Sequence, residues 1–350
     1  MTRSSAVARV EDWLRVTPKG LYCIPGDFYI DPARRADRAV ITHGHGDHAR
    51  PGNRNVLATA ETLAIMEARY GDEAGKARQP LAYGERLSVN GVDLRLVPAG
   101  HVLGSAQAVL EHRGQRVVVS GDYKRRADAT CAPFEVVRCD VFISEATFGL
   151  PVFRHPPDDG EIAKVLHALE LFPERAVLLG VYALGKCQRV ISLLRAAGYD
   201  RTIYLHGGLQ PLCALYEQLG VALGPLAPVP AGKAAALAGA VVLAPPSAIG
   251  DRWSRRLPDP IPAFASGWMR VRARARQRAV ELPLVISDHA DWDELTRTID
   301  EVEAEEVWIT HGQEEALVHH ATSQGRRARA LALVGRDEED EPELPGLDPA

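Results

Sequence analysis

Short hydrophobic runs separated by turn residues fill the first 150 positions of the chain. Apolar and polar residues alternate over residues 92–97, and a β-branched run covers residues 116–119; both patterns are typical of β-strands. The turn sequence at residues 112–115 predicts a hairpin before the second run. One helix is predicted at Ala60–Tyr70. The pattern therefore predicts a β-rich domain in this part of the chain.

From residue 158 onward the apolar residues follow the spacing of alternating helices and strands. Helices are predicted at 161–169, 188–197 and 209–219, and strands at 176–181 and 202–205. Such alternation is the signature of βαβ units and a small parallel sheet. Strands return at 284–287 and 306–310, with a helix at 292–302 between them.

These changes divide the chain into four segments. Residues 1–150 and 281–335 form the two parts of a core domain, and residues 151–280 are an α/β domain inserted between them. Residues 336–350 are acidic and contain proline, so this tail is predicted to be disordered. At 350 residues the chain is long enough to bury two cores of this size.

Four metal-binding side chains lie within six residues, directly after the hydrophobic run at 39–42. They are His43, His45, Asp47 and His48, and the glycines between them allow a tight loop. Imidazole and carboxylate groups are ligands for Zn²⁺ and related divalent cations. An unstructured histidine-rich tract is the alternative, but the flanking sequence is not of low complexity. The loop therefore predicts a metal site that can serve two ions.

Three further potential ligands also follow hydrophobic runs. His101 comes after the run at 92–97, Asp122 after the run at 116–119 and His311 after the run at 306–310. Loops at the ends of strands are where a rigid sheet presents side chains to a shared cleft. We therefore expect these three side chains to join the histidine loop.

This order of ligands resembles the metallo-β-lactamase superfamily, which has a His-x-His-x-Asp-His loop, a later His, a bridging Asp and a final His. The resemblance implies a four-layer αββα sandwich and two divalent metal ions, Zn²⁺ or Mn²⁺. It assigns His43, His45 and His101 to one ion. It assigns Asp47, His48 and His311 to the second ion, with Asp122 bridging both.

Two further motifs resemble the β-CASP nucleases, the branch of that superfamily that processes nucleic acids. Residues 140–149, in which Glu145 closes an apolar strand, resemble the first accessory motif of the branch, and Ser287-Asp288-His289-Ala290-Asp291 resembles the second. His311 in Thr310-His311-Gly312 matches the third. The inserted domain would then be the β-CASP-like cap. Residues 265–270 and 287–292 are similar to bacterial DNA exonucleases that are associated with an ATP-dependent DNA ligase.

The motifs suggest roles in phosphodiester hydrolysis. Two metal ions would activate a water, and Asp47 is placed to orient it as well as to bind metal. His289, held by the carboxylate of Glu145, is the candidate general acid for the leaving 3′ oxygen, because a carboxylate partner keeps imidazole protonated near neutral pH. The alternatives are a His289 that only packs its loop and a Glu145 that is a surface carboxylate.

Basic residues near these motifs are candidates for binding substrate phosphates. Lys124 and Arg125 follow the bridging Asp122, and Arg270 and Arg272 begin a series of arginines at every second position up to residue 278. In a strand these arginines would form one basic edge, whereas on a helix they would be distributed around its whole circumference. The alternative to phosphate binding is a solvated cationic face. Lys186 lies in Gly-x₄-Gly-Lys-Cys, which nearly reproduces a P-loop, but Cys187 replaces the hydroxyl residue that would bind Mg²⁺.

The composition fits a globular cytoplasmic protein. Hydrophobic residues make up 46% and charged residues 25%, and no run is long enough for a membrane span or a secretory signal. Five scattered cysteines predict reduced thiols. The formal net charge is −5, but the acidic excess lies in residues 336–350, so a local basic groove for nucleic acid remains compatible with it.

The sequence therefore predicts a metal-dependent phosphodiesterase. DNA is favoured over RNA as the partner by the resemblance, and a DNA exonuclease in repair, associated with a DNA ligase, is the function it implies. An RNA-processing nuclease with the same site is one alternative, because no residue pattern identifies a reader of the 2′-OH. A thioester or lactone hydrolase is another, although a small substrate would need neither the Glu145–His289 pair nor the inserted domain. A catalytically inactive binding module would be expected to have lost ligands.

Overall fold

A computed structural model of the chain describes residues 9–230, 237–257, 259–277 and 280–333. These residues divide into two compact units. Unit 1 takes the described residues within Met1–Arg126, Ala132–Pro151 and Trp292–Asp340, and unit 2 takes Ala127–Cys131 and the described residues within Val152–Asp291. The acidic tail at 336–350 lies outside the described residues.

Unit 1 contains two mixed β-sheets. The first consists, in spatial and chain order, of β1 (Leu14–Thr17), β2 (Gly20–Cys23), β3 (Phe28–Ile30), β4 (Arg38–Val40), β5 (Asn55–Ala58) and β6 (Ala77–Pro80). The second is built from β7 (Arg86–Val89), β8 (Val92–Pro98), β9 (Ala106–His112), β10 (Gln115–Val119), β11 (Val141–Ala146), β18 (Glu306–Gly312) and β19 (Arg327–Ala330). Its spatial order is β19-β18-β11-β10-β9-β8-β7, and β18 pairs in parallel with β11 although the whole of unit 2 separates them in sequence.

A single hydrophobic cluster joins the inner faces of these two sheets. Alternate residues of β8 (Val92, Leu94 and Leu96) and of β10 (Val117 and Val119) point into it, as the period of a strand requires. Residues of β1–β4 and Trp308 of β18 complete the cluster. The predicted β-rich core domain is therefore a sandwich.

Helices cover the outer faces of this sandwich. Helix α1 (Ala60–Tyr70) packs Leu63 and Met66 against the first sheet, as its predicted position indicates. Helix α7 (Glu314–Ser323) contacts β18 and β19 of the second sheet and also contacts α6 (Trp292–Glu301). Unit 1 thus has the predicted four-layer αββα architecture. None of the helices in the described part of the chain has the length and hydrophobicity that a membrane span requires.

Unit 2 is an α/β unit with one parallel sheet. Its strands, in spatial order, are β14 (Leu226–Pro228), β13 (Ile203–Leu205), β15 (Val241–Ala244), β12 (Val177–Gly180), β16 (Ile261–Ala265) and β17 (Leu282–Leu284). Its helices are α2 (Asp158–Leu171), α3 (Lys186–Ala196), α4 (Gln210–Gln218) and α5 (Arg272–Gln277). The central strands β12 and β15 are buried throughout, which is expected of a parallel sheet.

In unit 2 the structure decides one prediction that was left open, the conformation of the arginine series, and shortens one predicted strand. The arginine series begins at the last residue of a short 3₁₀-helix, Gly267–Arg270, and continues in α5, so the interpretation as a strand is wrong. The strand predicted at 284–287 ends at Leu284. Beyond it, the backbone N–H of Val285 donates to Glu161 and the carbonyl of Ile286 accepts from Lys186. Side chains therefore satisfy backbone groups that a longer strand would have paired.

Candidate metal centre

The histidine loop begins immediately after β4 and is fixed by hydrogen bonds at both ends. The backbone N–H of Ile41 donates to Leu57 of β5, which keeps the entry to the loop in the sheet. Arg69 of α1 donates to the carbonyl of Gly44 at 2.9 Å. The N–H groups of His48 and Ala49 both donate to the carbonyl of His45, closing a turn. The ligand-bearing residues are therefore held by the sheet and by α1.

The three later ligands reach the loop from the second sheet. His101 lies in a turn after β8, where its N–H donates to the hydroxyl of Ser105 at 3.0 Å. Asp122 follows β10 and Gly121, whose φ of 57° and close packing against Thr42 exclude a side chain. His311 lies within β18. The structure thus brings all seven predicted metal ligands together in unit 1.

His311 occupies a β-bulge. Thr310 pairs with Glu145 and Gly312 pairs with Ala146, so His311 is the extra residue between two registered pairs. Its φ is 61°, in the left-handed region that a non-glycine residue seldom adopts. Bulges of this kind redirect a side chain at the edge of a functional site, and local strain is typical of such positions.

Asp122 lies at the centre of the ligand cluster. Its Oδ2 is 3.3 Å from Nε2 of His43 and 3.8 Å from Nε2 of His101, whereas its Oδ1 is 3.3 Å from Nε2 of His48. The two oxygens therefore face different histidines. Within unit 1, three overlapping groups have ligand atoms within 4.8 Å of one another: His43, His45, His101 and Asp122; His43, Asp47 and His48; and Asp47, Asp122 and His311.

The chemistry of these side chains fits divalent cations. Nε2 of His43 and Oδ1 of Asp122 are buried and make no hydrogen bond within the described residues, which is costly for polar atoms unless another group satisfies them. Nδ1 of His45 and Nε2 of His101 face each other at 2.9 Å. Imidazole nitrogens and carboxylate oxygens converging in this way are a donor set for a divalent metal.

The electrostatics favour the protonation states that metal ligands require. Burial, reinforced by the neighbouring His48, lowers the pKa of His43 to about 4, so its ring is neutral at neutral pH. Burial alone would raise the pKa of Asp122, but the rings of His48, His311 and His43 hold it well below its usual range. A neutral imidazole beside an ionised carboxylate is the state in which both can bind a cation.

Asp31 is a part of the site that the sequence analysis missed. Its Oδ2 accepts a hydrogen bond from Nδ1 of His48 at 2.8 Å, and both of its oxygens accept from Thr42. Bonding to Nδ1 leaves Nε2 of His48 directed at the cluster. Asp31 follows the hydrophobic strand β3 directly, as the ligands follow their strands, and this was the signal available in the sequence.

Glu145 is buried at the end of β11, with 1% of its surface exposed. Its Oε1 accepts the backbone N–H of Tyr123 at 2.7 Å, which ties it to the residue after Asp122. The alternative of a surface carboxylate is therefore wrong. His289 lies in unit 2, in the loop between β17 and α6, and its pairing with Glu145 stays a prediction.

The predicted phosphate-binding side chains fall into two groups. Lys124 is buried, Arg125 donates to Thr298 and Glu301 of α6, and Lys186 is buried against Asp288; their contact with phosphate stays a prediction that this burial and pairing do not favour. Arg270 and Arg272 are exposed. Residue 278, the end of the arginine series, lies outside the described residues.

Comparisons with known proteins find nuclease and ligase relatives. A probable DNA ligase from Opitutus terrae is 30% identical over 318 residues, which are 89% of this chain and 30% of that protein. A ribonuclease from Thermus thermophilus is 29% identical over 216 residues, which are 54% of this chain and 47% of that protein. An endoribonuclease from Saccharomyces cerevisiae is 33% identical over 135 residues, which are 37% of this chain and 17% of that protein. The chain therefore spans less than half the length of each of these relatives.

The fold also recurs among solved structures. A crystal structure of a protein of unknown function from Enterococcus faecalis superposes with a TM-score of 0.51 over 77% of this chain and 74% of that one, at 13% identity. At this identity the likeness concerns the fold alone. No protein family model matches the chain.

Proposed function

Because this chain belongs to the β-CASP branch of the metallo-β-lactamase superfamily, we propose that it is a metal-dependent nuclease, and specifically a DNA exonuclease that acts in repair. The observation that carries the proposal is the position of Asp122, whose two oxygens face separate histidines in a buried cluster. A carboxylate so placed suits a bridge between two cations. Unit 2 would be the inserted domain of the branch.

Seven residues of unit 1 would hold the metal ions. His43, His45 and His101 would bind one Zn²⁺ or Mn²⁺ ion and Asp47, His48 and His311 the other, with Asp122 shared. Bound there, two divalent cations would lower the pKa of a water towards about 7 and neutralise charge on the phosphoryl oxygens. Asp47, whose side chain is 26% exposed and therefore reachable from solvent, would orient the attacking water.

Protonation of the leaving oxygen would fall to His289. Its imidazole would donate a proton to the 3′ oxygen, and Glu145 would keep that proton available by stabilising the charged ring. Burial of Glu145 supports this role, because a buried carboxylate is expected to be paired.

Exposed arginines of unit 2 would contact the nucleic-acid backbone. Arg270, Arg272, Arg274 and Arg276 are exposed, and within the described residues they show no ion pair with an acidic side chain. Arg274 lies over the ring of Trp268 at 3.7 Å from its centroid, which fixes one of the four cations. Neighbouring arginines whose charge is not neutralised by acidic side chains are suited to binding the phosphates of a nucleic-acid backbone.

DNA is favoured over RNA by the relative from Opitutus terrae. The match covers 30% of that protein, which is named as a probable DNA ligase, so a segment similar to this chain is part of the same polypeptide there. Such a fusion supports a functional association between this chain and an ATP-dependent DNA ligase in the cytoplasm. An RNA-processing nuclease is the second candidate, since the Thermus and yeast relatives are named as ribonucleases.

Matched DNA and RNA oligonucleotides of one sequence test the choice of substrate. Each strand is labelled separately at its 5′ and 3′ ends and incubated with the protein and either Zn²⁺ or Mn²⁺. Shortening of DNA from one end establishes an exonuclease together with its polarity. Cleavage of RNA alone would favour a role in RNA processing. Cleavage of neither nucleic acid would favour hydrolysis of a small thioester or lactone.

A further inference from the structure

The loop that carries His289 is held at three points by charged side chains of unit 2. The N–H of Val285, before the loop, donates to Oε2 of Glu161 at 2.8 Å. Asp291, after the loop, accepts the N–H of His155 at 2.9 Å. Between these two points, Lys186 contacts the loop itself. All three contacts form within one compact unit.

Lys186 makes two contacts to the loop from the start of α3. Its Nζ donates to the carbonyl of Ile286 at 3.0 Å and lies 3.1 Å from Oδ2 of Asp288. Ser287, between these two residues, accepts the N–H of His289 through its hydroxyl at 3.0 Å and donates to the carbonyl of His289 at 3.1 Å. The backbone from Ile286 to His289 is therefore fixed through one ammonium group and one hydroxyl.

Burial makes these contacts specific. The side chains of Lys186 and Asp288 are 5% and 8% exposed, so their opposite charges compensate each other in a buried environment. Two of the three N–H bonds of the ammonium are directed at the loop, which leaves little capacity for a phosphate. The lysine of the P-loop-like sequence therefore binds a loop of the protein itself.

We infer that Lys186 is a positioning residue, which holds the loop at residues 286–289 in the conformation that presents His289 to the substrate. This inference rests on the proposed function, in which His289 is the general acid. It replaces the prediction that Lys186 binds phosphate. Arg189 of the same helix α3 adds to the framework, because its guanidinium pairs with Asp128 and Asp158 in the same unit.

A double-mutant cycle tests this role. Lys186→Met, His289→Ala and the double variant are compared by kcat on end-labelled DNA, with Lys76→Met, an exposed lysine of unit 1, as the charge-matched control. We expect Lys186→Met to lower kcat about 10- to 100-fold with unchanged metal content, as loss of an orienting partner does. Since Lys186 acts through His289, it should cause no further loss in the His289→Ala background.

Two measurements that do not depend on turnover complete the test. Amide hydrogen exchange over residues 285–290 should become faster in Lys186→Met and stay unchanged in Lys76→Met. Affinity for single-stranded DNA, measured in the Asp122→Ala background, should change less than about threefold on Lys186→Met. If Lys186→Met does not fold, Asp288→Asn is added to it, which removes the buried charge left behind.

Each outcome points to one conclusion. Losses that multiply in the double variant, or a large drop in DNA affinity with unchanged kcat, would overturn the positioning role and favour a phosphate contact. Wild-type protein without activity on any nucleic acid would instead overturn the proposed function itself. Non-additive losses of kcat together with faster amide exchange over residues 285–290 would support both the positioning role of Lys186 and the proposed nuclease function.

Discussion

Asp31 is not one of the seven predicted metal ligands, yet it orients His48, which is one of them. It occupies the left-handed region with a φ of 43° and uses both carboxylate oxygens, one on His48 and both on Thr42. Partners of this kind fix the tautomer and the ring orientation of a metal-binding histidine. The site therefore extends beyond the seven predicted ligands.

Substitution of Asp31 is expected to weaken metal binding. Asp31→Asn keeps a residue that tolerates positive φ but removes the charge that orients His48, so affinity for Zn²⁺ or Mn²⁺ should fall by about 10- to 100-fold. Metal titration of the apoprotein measures this. Asp27→Asn is the matched control, because Asp27 also has positive φ but is exposed. Equal affinities for wild type and Asp31→Asn would show that His48 needs no such partner.

Loss of His289 is expected to separate catalysis from metal binding. His289→Ala should lower kcat by about 10²- to 10⁴-fold, the range for a general acid, while metal content stays at the wild-type level. Steady-state kinetics and elemental analysis of the same preparation check both. His319→Ala, at an exposed histidine of α7, should leave both unchanged. Full activity of His289→Ala would remove this residue from the mechanism.

The sequence was sufficient to predict which candidate ligands the fold brings together, but not the residues that support them. His43, His45, Asp47 and His48 are adjacent in sequence, and each later ligand follows a hydrophobic run. Asp31 shares with the predicted ligands a position directly after a strand, but its bond to His48 could not be predicted, because His48 lies 17 positions away and only the pairing of β3 with β4 brings them together. Long-range pairing of this type leaves no local pattern.

At the level of elements, the pairing of β18 with β11 places two of the predicted site residues, Glu145 and His311, at one end of the sheet. Glu145 and Thr310 form the last regular pair, after which the bulge lifts His311 out of register. Gly312 then resumes the pairing with a φ of 113° and lies so close to Ala146 that an added Cβ would be 2.3 Å from its carbonyl oxygen. The glycine is required by both its conformation and its packing.

Gly312→Ala is therefore expected to destabilise the sheet and displace His311. The strained conformation costs about 1–3 kcal/mol, and the clash with β11 adds to it, so thermal unfolding should begin well below that of the wild type. Gly325→Ala is the matched control: its φ is 83°, but no atom lies within 4 Å of the added Cβ. A similar melting temperature for the two variants would show that contact with Ala146 is unimportant.

Element prediction succeeded where a helix or strand buries a regular stripe and failed where side chains replace backbone pairing. Helix α1 and strands β8 and β10 follow their periodicity. The run at 284–287 has the hydrophobicity of a strand, but Glu161 and Lys186 take its backbone groups. The arginine series has a period of two, yet arginine and alanine have high helix propensity, and α5 forms there.

On the scale of the whole molecule, the seven predicted metal ligands all belong to unit 1, although they come from parts of the sequence before and after unit 2. Bound metal would therefore join the first and second parts of the core domain, because His311 is separated from the other ligands by the inserted unit. Burial of Asp122 among several histidines without a cation is costly, so metal binding and folding should be linked.

Removal of metal is expected to destabilise unit 1 more than unit 2. At a metal concentration 100 times the Kd, binding stabilises the native state by about 2.7 kcal/mol, which chelation should abolish. Hydrogen exchange with and without a chelator, resolved along the chain, measures the loss in each unit. Restoration by added Zn²⁺ or Mn²⁺ is the control. Equal effects on both units would contradict a metal centre confined to unit 1.

The most direct test of the central claim compares metal content and DNA hydrolysis in the wild type and Asp122→Ala. Both proteins are purified without metal, reconstituted with Zn²⁺ or Mn²⁺ and assayed on end-labelled DNA, with Asp93→Ala as the exposed control. We predict about two ions per wild-type chain, lower content in Asp122→Ala, and loss of hydrolysis by about 10³-fold or more. Unaltered hydrolysis by Asp122→Ala would contradict the account, because the cleavage would then not depend on this cluster.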